Sequence, residues 1–538
     1  MAMVLPDNSG SSPHVVIVGA GPVGMATALL LARQNVRSVL LERREQPSCR
    51  QSRAVTVQRD ILALYDRLGL ADEIVNDGAS WSLGRTYYGD QEILQLRFPP
   101  HGEEIYPPFV NFPQFRIEEM LYDAALATGL VDIRLGRAVG GLEQDDSGVR
   151  VTAAGPDGPE TYTGAYLVAA DGIGSGVRRR LGITFDGWQT KGRFLVADFE
   201  ADLPFERERR LWFNPPFHPE GIVLMHGVTR KLWRLDWQIP LDADAETLTE
   251  PGRVAARIAT VIGDHPVRVV RSNTYTFQQC RASAFRSGRV FLVGDAAHVV
   301  SPFGARGMNS GMEDAENLAW KLGFVLNGKA GPALLDSYEA ERAAAADHNL
   351  AVTGASMKFM TPDDESGRQV RDAALAAALA DPGQAHRVDC GKLYEPFPYH
   401  DSALTAQALL PAPRVRPGAP LPDLRCVDGS RTTTLRAAMA GEVTLLAVPG
   451  RNGLVSGLST ELDAIAAPAW VRRSILAPAT SGTGVLTVLS DEMWDIYADE
   501  QDVVYLVRPD CYVAAVVPLD GTPVDFGALT AQASNAAG

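Results

Sequence analysis

The feature that most limits the fold is a short run near the N-terminus. His14–Val18 reads HVVIV, the unbroken apolar pattern of a strand buried on both faces. It passes into Gly19-Ala20-Gly21-Pro22-Val23-Gly24, then a helical pattern over Met25–Gln34, then a second strand, Ser38–Leu41, ending at Glu42. A GxGxxG turn between strand and helix, with an acid about 20 residues on, marks a dinucleotide-binding βαβ unit. The first glycine permits the tight turn, the second admits a pyrophosphate to the backbone, and the third lets helix and strand pack closely. Glu42 is placed for a ribose hydroxyl pair. The fold class this predicts is α/β, built on a parallel sheet with a Rossmann-like unit at its start.

Two further strand tips repeat the theme. Ala165–Ala170 (AYLVAA) runs into Asp171-Gly172-Ile173-Gly174, and Arg289–Val293 (RVFLV) runs into Gly294-Asp295. Pro302, Gly304 and Gly307 then punctuate a loop, and a helical pattern starts at Gly311, with Met312, Ala315, Leu318, Ala319 and Leu322 on one face. Asn309 or Ser310 is placed to cap it. Ligands of open α/β sheets sit outside the carboxyl ends of strands, and helix starts favour anionic groups.

Between these tips the pattern changes. Residues 192–240 alternate with period two and carry Trp233 and Trp237, as expected of a mostly antiparallel sheet walling an apolar pocket. Arg53, before a helical stretch, and Gln114, opening another, are candidate ligand contacts. The predicted division is a tail at 1–13; a dinucleotide-binding domain from 14–80, 111–190 and 276–360; a sheet domain from 81–110 and 191–275; a helical segment and linker at 361–422, with Pro411–Pro422 (PAPRVRPGAPLP) the plainest linker; and a small α/β domain at 423–538. A net charge of -15 argues against nucleic acid or an anionic membrane as partner. The five cysteines form no CxxC pair and no zinc spacing, so no metal is expected. No apolar run approaches the ~20 residues of a membrane span, and a cytoplasmic protein is expected.

With the three motifs in place, the chain resembles the class A (single-component) flavin monooxygenases, in their phenol hydroxylase and 3-(3-hydroxyphenyl)propionate hydroxylase-like branch. GAGPVG at 19–24, DGIGSGVR at 171–178 and GDAAHVVSPFGARGMNSG at 294–311 carry the resemblance, and RPDCYVAA at 508–515 is similar to the thioredoxin-like C-terminal domain of that branch. The resemblance implies a GR2/PHBH-type FAD-binding domain with an inserted substrate sheet and a thioredoxin-like domain lacking CxxC. It implies FAD held by Gly19, Gly21, Pro22 and Gly24 at the pyrophosphate, by Glu42 and neighbouring Arg43 at the adenosine end, and by Arg53 and Gln114. Asp171 and Gly172 belong to a motif tied to FAD and nicotinamide nucleotide, Asp295 to the ribityl chain, and Pro302, Gly307, Met308 and Asn309 to the flavin ring. The implied reaction uses NADH or NADPH and O2, and a flavin C4a-hydroperoxide hydroxylates a small phenolic substrate; a homodimer is usual.

One position departs: the acid that the family carries near the substrate, two residues after the arginine matched by Arg53, is Val55 here. Tyr275 and then His226 are the candidates for orienting or deprotonating the phenol, His298 has a structural role beside FAD, and Gln279 and Arg281 could line the site. Alternatives are an aromatic polyketide-type tailoring oxygenase, hydroxylating or Baeyer–Villiger; a halogenase, since Leu235–Pro240 (LDWQIP) approaches WxWxIP without its first Trp; and a flavin-binding protein that oxygenates nothing.

Overall fold

A computed structural model describes residues 14–47, 54–98, 105–219, 221–406, 409–410, 412–451, 455–478, 484–488 and 493–519. The expected tail and Arg53 lie outside the described residues. Six strands form the first sheet in the order Arg286–Ser287, Val290–Leu292, Tyr166–Ala169, His14–Val18, Arg37–Glu42, Val131–Leu135. All neighbours are parallel except at the Arg286–Ser287 edge. Register settles where the site falls. Val18 pairs with Ala169, and Ala169 with Leu292, so the three motif-bearing strands end at one level and discharge their loops side by side.

The helix Pro22–Arg33 starts with proline at its first position, where a missing N–H costs nothing. The helix Arg306–Leu326 starts five residues before the expected Gly311, and its cap is Ala305, left-handed at φ 57° with no side-chain cap. Asn309 and Ser310 therefore lie inside the helix and do not cap it. The pattern misled because Gly307 was read as a loop breaker, whereas glycine is tolerated in a first turn whose N–H groups have no intrahelical partners anyway. The helix Arg306–Leu326 is followed by a second, Asp336–Met360, with a 3₁₀ turn at Pro332–Leu335 between them.

An eight-stranded sheet covers the mouth of the first. Its order is His298–Val299, Arg268–Ala282, Phe185–Glu200, Leu232–Ile239, Ile222–Gly227, Arg209–Phe213, Leu83–Tyr88, Gln91–Arg97. It is antiparallel except where Arg209–Phe213 runs beside Leu83–Tyr88. Phe199, Trp233 and Leu235 are buried on one face under the helix Pro251–Ile262. Burying such a side chain contributes roughly 1.5–3 kcal/mol. The opposite face, with Phe194, Val196, His226, Arg234 and Asp236, turns toward the strand-end loops. A separate antiparallel meander, Ala138–Gln144, Val149–Gly155 and Gly158–Gly164, packs on the first sheet.

The C-terminal unit is a mixed seven-stranded sheet flanked by short helices, the thioredoxin-like part of the fold. Its strands Arg425–Asp428 and Arg472–Pro478 were not foreseen. The Pro-rich stretch read as a linker is docked on this sheet: Gly418 N–H donates to Val513 O and Leu421 N–H to Cys511 O, each at 2.7–2.8 Å. Trp320 and Phe324, from the far end of Arg306–Leu326, belong to the same apolar cluster as Leu445, Val471 and Leu506 of this unit. Beside them, buried Glu341 accepts from Arg508 at 2.6 and 2.9 Å and from Lys321 at 2.7 Å, while Asp510 accepts from Arg508 and Trp320. Among the described residues no helix is long and apolar enough to cross a membrane, and no His, Cys, Asp and Glu cluster could hold a metal ion.

Candidate active site

The three loops enclose one cavity of about 490 Å3. Its floor is the first sheet's edge: Gly21, Pro22, Gly172, Asp295, Pro302, Gly307 and Met308 all line it, with Gln114 at one side. The glycines divide by physical role. A Cβ on Gly19 would stand 2.4 Å from Ala170 O, and one on Gly24 2.0 Å from Gly19 O, so both are dictated by packing. Gly21 has nothing within 4 Å, so its bare backbone faces open space where a ligand can approach. The amides of Arg306, Gly307 and Met308, which have no intrahelical partner, open a helix of 21 residues at the same cavity.

Glu42 is buried at its strand tip, where its Oε2 accepts from Ala20 N–H at 2.8 Å and its Oε1 from Arg44. Burial pushes its carboxyl up, but the hydrogen bonds from Arg44 and Ala20 outweigh burial and hold it below the usual range. Arg43 is exposed and does not line the cavity; Arg44 is the arginine that engages Glu42. Gln114 is fixed from both sides: its Oε1 accepts from Ala54 N–H at 3.0 Å and its Nε2 donates to Glu118 at 2.8 Å. Asp171 accepts from Val177 N–H at 3.1 Å through Oδ2, and its Oδ1 has no partner among the described residues. Asp295 projects from a 3₁₀ turn into the cavity.

Asn309 does not reach the cavity with its side chain. It is buried, accepts from Gln58 N–H at 3.1 Å and donates to Thr56 O at 3.0 Å, fastening the strand Thr56–Gln58 to the helix start. His298 is likewise behind the wall, its Nε2 2.7 Å from Asp314, which also takes Gly294 N–H at 2.9 Å and Arg342 at 2.6 Å. Burial opposes ionisation of Asp314, but His298 and Arg342 prevail and hold it below the carboxylate range. Gln279 is buried against Thr353 and Arg281 pairs with Asp347; neither lines the cavity.

Several contributors went unforeseen. Arg178 donates to Ala296 O and to Ile173 O, each at 2.8 Å, and so ties two of the loops together. Phe194, Phe277 and Phe303 form an aromatic wall beside Pro302, with centroids 5.0–5.7 Å apart. Such a wall keeps water from the neighbouring space. Val55 lines the cavity with hydrocarbon. A carboxylate that does line the cavity is Asp236, in a cluster with Arg209, Arg234, Arg271, Asp198 and His226. The signal for it was an alternation in Leu232–Ile239 that puts Arg234, Asp236 and Gln238 on one face. Such a face reads as solvated; here it lines a cavity.

Tyr275 and His226 both line the cavity. Burial, then Arg209 and Arg234, pull His226 down to about 3. A base that weak takes no proton from a phenol, so His226 is a neutral hydrogen-bonding group.

A cavity bounded by a GxGxxG turn, two carboxylate-bearing strand ends, a helix start and an aromatic wall defines a flavin site facing an aromatic pocket. The comparisons agree. Residues 13–353 match the family described as FAD binding domain. The 3-(3-hydroxy-phenyl)propionate/3-hydroxycinnamic acid hydroxylase of Mycolicibacterium smegmatis is 32% identical over 405 residues, 74% of this chain and 70% of that protein. The 12-dehydrotetracycline 5-monooxygenase/anhydrotetracycline 6-monooxygenase of Streptomyces rimosus is 36% identical over 369 residues, 65% of this chain and 70% of that one. Among solved structures, the flavin-dependent monooxygenase PieE, in complex with FAD and substrate, superposes with a TM-score of 0.81 at 25% identity, covering 97% of this chain and 99% of that one. The chain belongs to the FAD-dependent aromatic monooxygenases. Its cofactor is FAD, with a nicotinamide nucleotide as co-substrate.

Proposed function

We propose that the protein hydroxylates a phenolic ring with O2 and NADH or NADPH, and that the ring lies between the Phe194–Phe277–Phe303 wall and the Pro302 loop. What carries this reading is the register that sets Val18, Ala169 and Leu292 level, so that three loops open on one cavity with an aromatic far side. Bound FAD would take reducing equivalents from the nicotinamide and supply activated oxygen. Gly21, Gln114, Asp295 and the Gly307–Met308 amides would hold it, and Oδ1 of Asp171, unpartnered among the described residues, leaves an acceptor at the same edge. The chain's remaining work is to bind, orient and keep dry. The aromatic wall excludes water, and Tyr275 orients the phenol. A homodimer working in the cytoplasm belongs to the same proposal and is checked by light scattering and cell fractionation.

The test is direct. The purified protein should carry flavin, oxidise NADH or NADPH faster when a phenol is added, and consume matching O2, with one oxygen atom gained in product mass. Flavin binding without phenol-stimulated oxidation would overturn the reading; a halide requirement would move the protein to the halogenases. In the same assay Tyr275→Phe should slow hydroxylation at least fivefold and leave flavin content unchanged, because the loss is of one hydrogen bond worth roughly 1 kcal/mol.

A further inference from the structure

The end of the cavity formed by the eight-stranded sheet is polar in a way the aromatic reading does not use. Arg209 donates through Nη2 to Cys390 O at 2.6 Å, which fixes the guanidinium, while its Nη1 has no partner among the described residues. Among the same residues His226 Nδ1 and Asp236 Oδ1 also have none. All three residues line the cavity, and Arg209 and His226 are more than nine-tenths buried, at 3% and 9% exposed. Their strands adjoin: His226 lies opposite Arg234, and Asp236 opposite Leu224 and Val196. Arg234 and Arg271 are already committed to Asp198, at 2.6–3.1 Å, and hold the cluster from behind.

The complement of this set is restricted. Arg209 offers a donor and Asp236 an acceptor, with a neutral imidazole between. A hydrocarbon would leave the buried polar atoms unpaired. A carboxylate would satisfy Arg209 but set its second oxygen against an anion. A neutral group carrying an acceptor oxygen beside a donor hydrogen satisfies both.

We propose that Arg209, His226 and Asp236 form the substrate-recognition end of the pocket and select aromatic substrates that carry a neutral acceptor–donor edge, such as a carbonyl beside a hydroxyl or an amide, over substrates that end in a carboxylate. The inference deepens the hydroxylation reading and rests on it. Burial raises the Asp236 carboxyl to about 6, so it is an anion at neutral pH, faced by Arg209, Arg234, Arg271, Asp198 and His226.

The holoenzyme is titrated at about pH 8 with 3-(3-hydroxyphenyl)propionamide and with 3-(3-hydroxyphenyl)propionate, reading the flavin absorbance. Both probes keep the phenol and differ only at the tail. The wild type should bind the amide at least tenfold tighter than the acid. Asp236→Asn should abolish or reverse that preference, Arg209→Gln should weaken the amide at least tenfold, and Arg209→Lys should recover part of it, with flavin content and near-ultraviolet circular dichroism unchanged. A wild type that prefers the acid or shows no preference overturns the proposal, as does an Asp236→Asn protein that keeps the wild-type ratio or an Arg209→Gln protein that binds as the wild type does. Failure of the hydroxylation reading shows separately, as nicotinamide oxidation that no phenol stimulates.

Discussion

Single residues in this chain separate into those the backbone requires and those the ligand requires. Gly304 is of the first kind: it sits at φ +91°, and a Cβ there would stand 2.2 Å from Lys392 O. Its neighbour Ala305 sits at φ 57°, where a Cβ is disfavoured by about 1–2 kcal/mol. Opposite outcomes follow for two swaps one residue apart. Gly304→Ala should lower stability by roughly 1–3 kcal/mol and reduce flavin retention, whereas Ala305→Gly should be neutral or stabilise by up to about 1 kcal/mol. Urea titrations of the two variants, followed by intrinsic fluorescence and flavin release, check both signs. Asp236 gives a pH-dependent case. Its folded-state value, about 6, lies above its ordinary 3.8. Its contribution to stability is therefore full below about pH 4 and lost as pH rises through about 6. Asp236→Asn should gain roughly 1–3 kcal/mol over the wild type at about pH 8 and nothing at about pH 4; equal differences at both pH values would remove the carboxyl as the cause. The glycines of the first loop could be read from the chain because a tight turn leaves few choices of residue. Asp236 and Arg209 could not, because a polar strand face carries the same pattern whether water or a closed cavity lies beside it.

At the scale of elements, the helix Arg306–Leu326 joins the cavity to the rest of the molecule. Its start is held from outside: Arg306 donates to Asn349 at 2.7 Å and to Leu393 O at 2.8 Å, and Asn309 clamps Thr56–Gln58. One turn on, Asp314 collects Gly294 N–H, His298 and Arg342, and Arg342 continues to Tyr399 at 2.7 Å and to Ser310 at 3.0 Å. The loop Gly294–Ala296 is thus hung on the helix by a fully buried carboxylate. Asp314→Asn keeps the shape but leaves Arg342 without its principal counter-charge, and removing one partner of a buried pair costs about 3–5 kcal/mol. The variant should lose flavin at lower urea than the wild type, and thermal unfolding read by flavin fluorescence checks it. The strand and the helix of this unit were legible as a hydrophobic run and a one-sided repeat. The helix start was not, because its cap is a left-handed alanine held by distant Arg306 contacts. The meander over 138–164 was missed for a related reason: short strands with mixed exposure give neither a continuous apolar run nor a clean alternation.

For the whole molecule, the C-terminal unit is joined to the FAD-binding part through consecutive residues of one helix. Arg342 faces the cavity side and Asp314; Glu341 faces the other way, toward Arg508 and Lys321. The salt bridges are fully buried, and Trp320 and Phe324 add apolar contact beside them. Burial lowers the Lys321 ammonium to about 8, so near neutral pH its charge depends on Glu341 staying ionised. Two units coupled this way should melt together. In the wild type, flavin release and the loss of far-ultraviolet circular dichroism should coincide in a single transition. Arg508→Ala removes the guanidinium that donates to both Glu341 and Asp510, leaving Asp510 without its cation and Glu341 with Lys321 alone as counter-charge, at a cost of about 3–5 kcal/mol. The transition should then split, with the C-terminal unit unfolding first and flavin leaving at a second, higher temperature that still lies below the wild-type value. Coincident transitions in the variant would mean that the apolar contact around Trp320 couples the units without the charges. An unchanged midpoint would mean that the buried pairs contribute nothing net, as happens when desolvation cancels attraction.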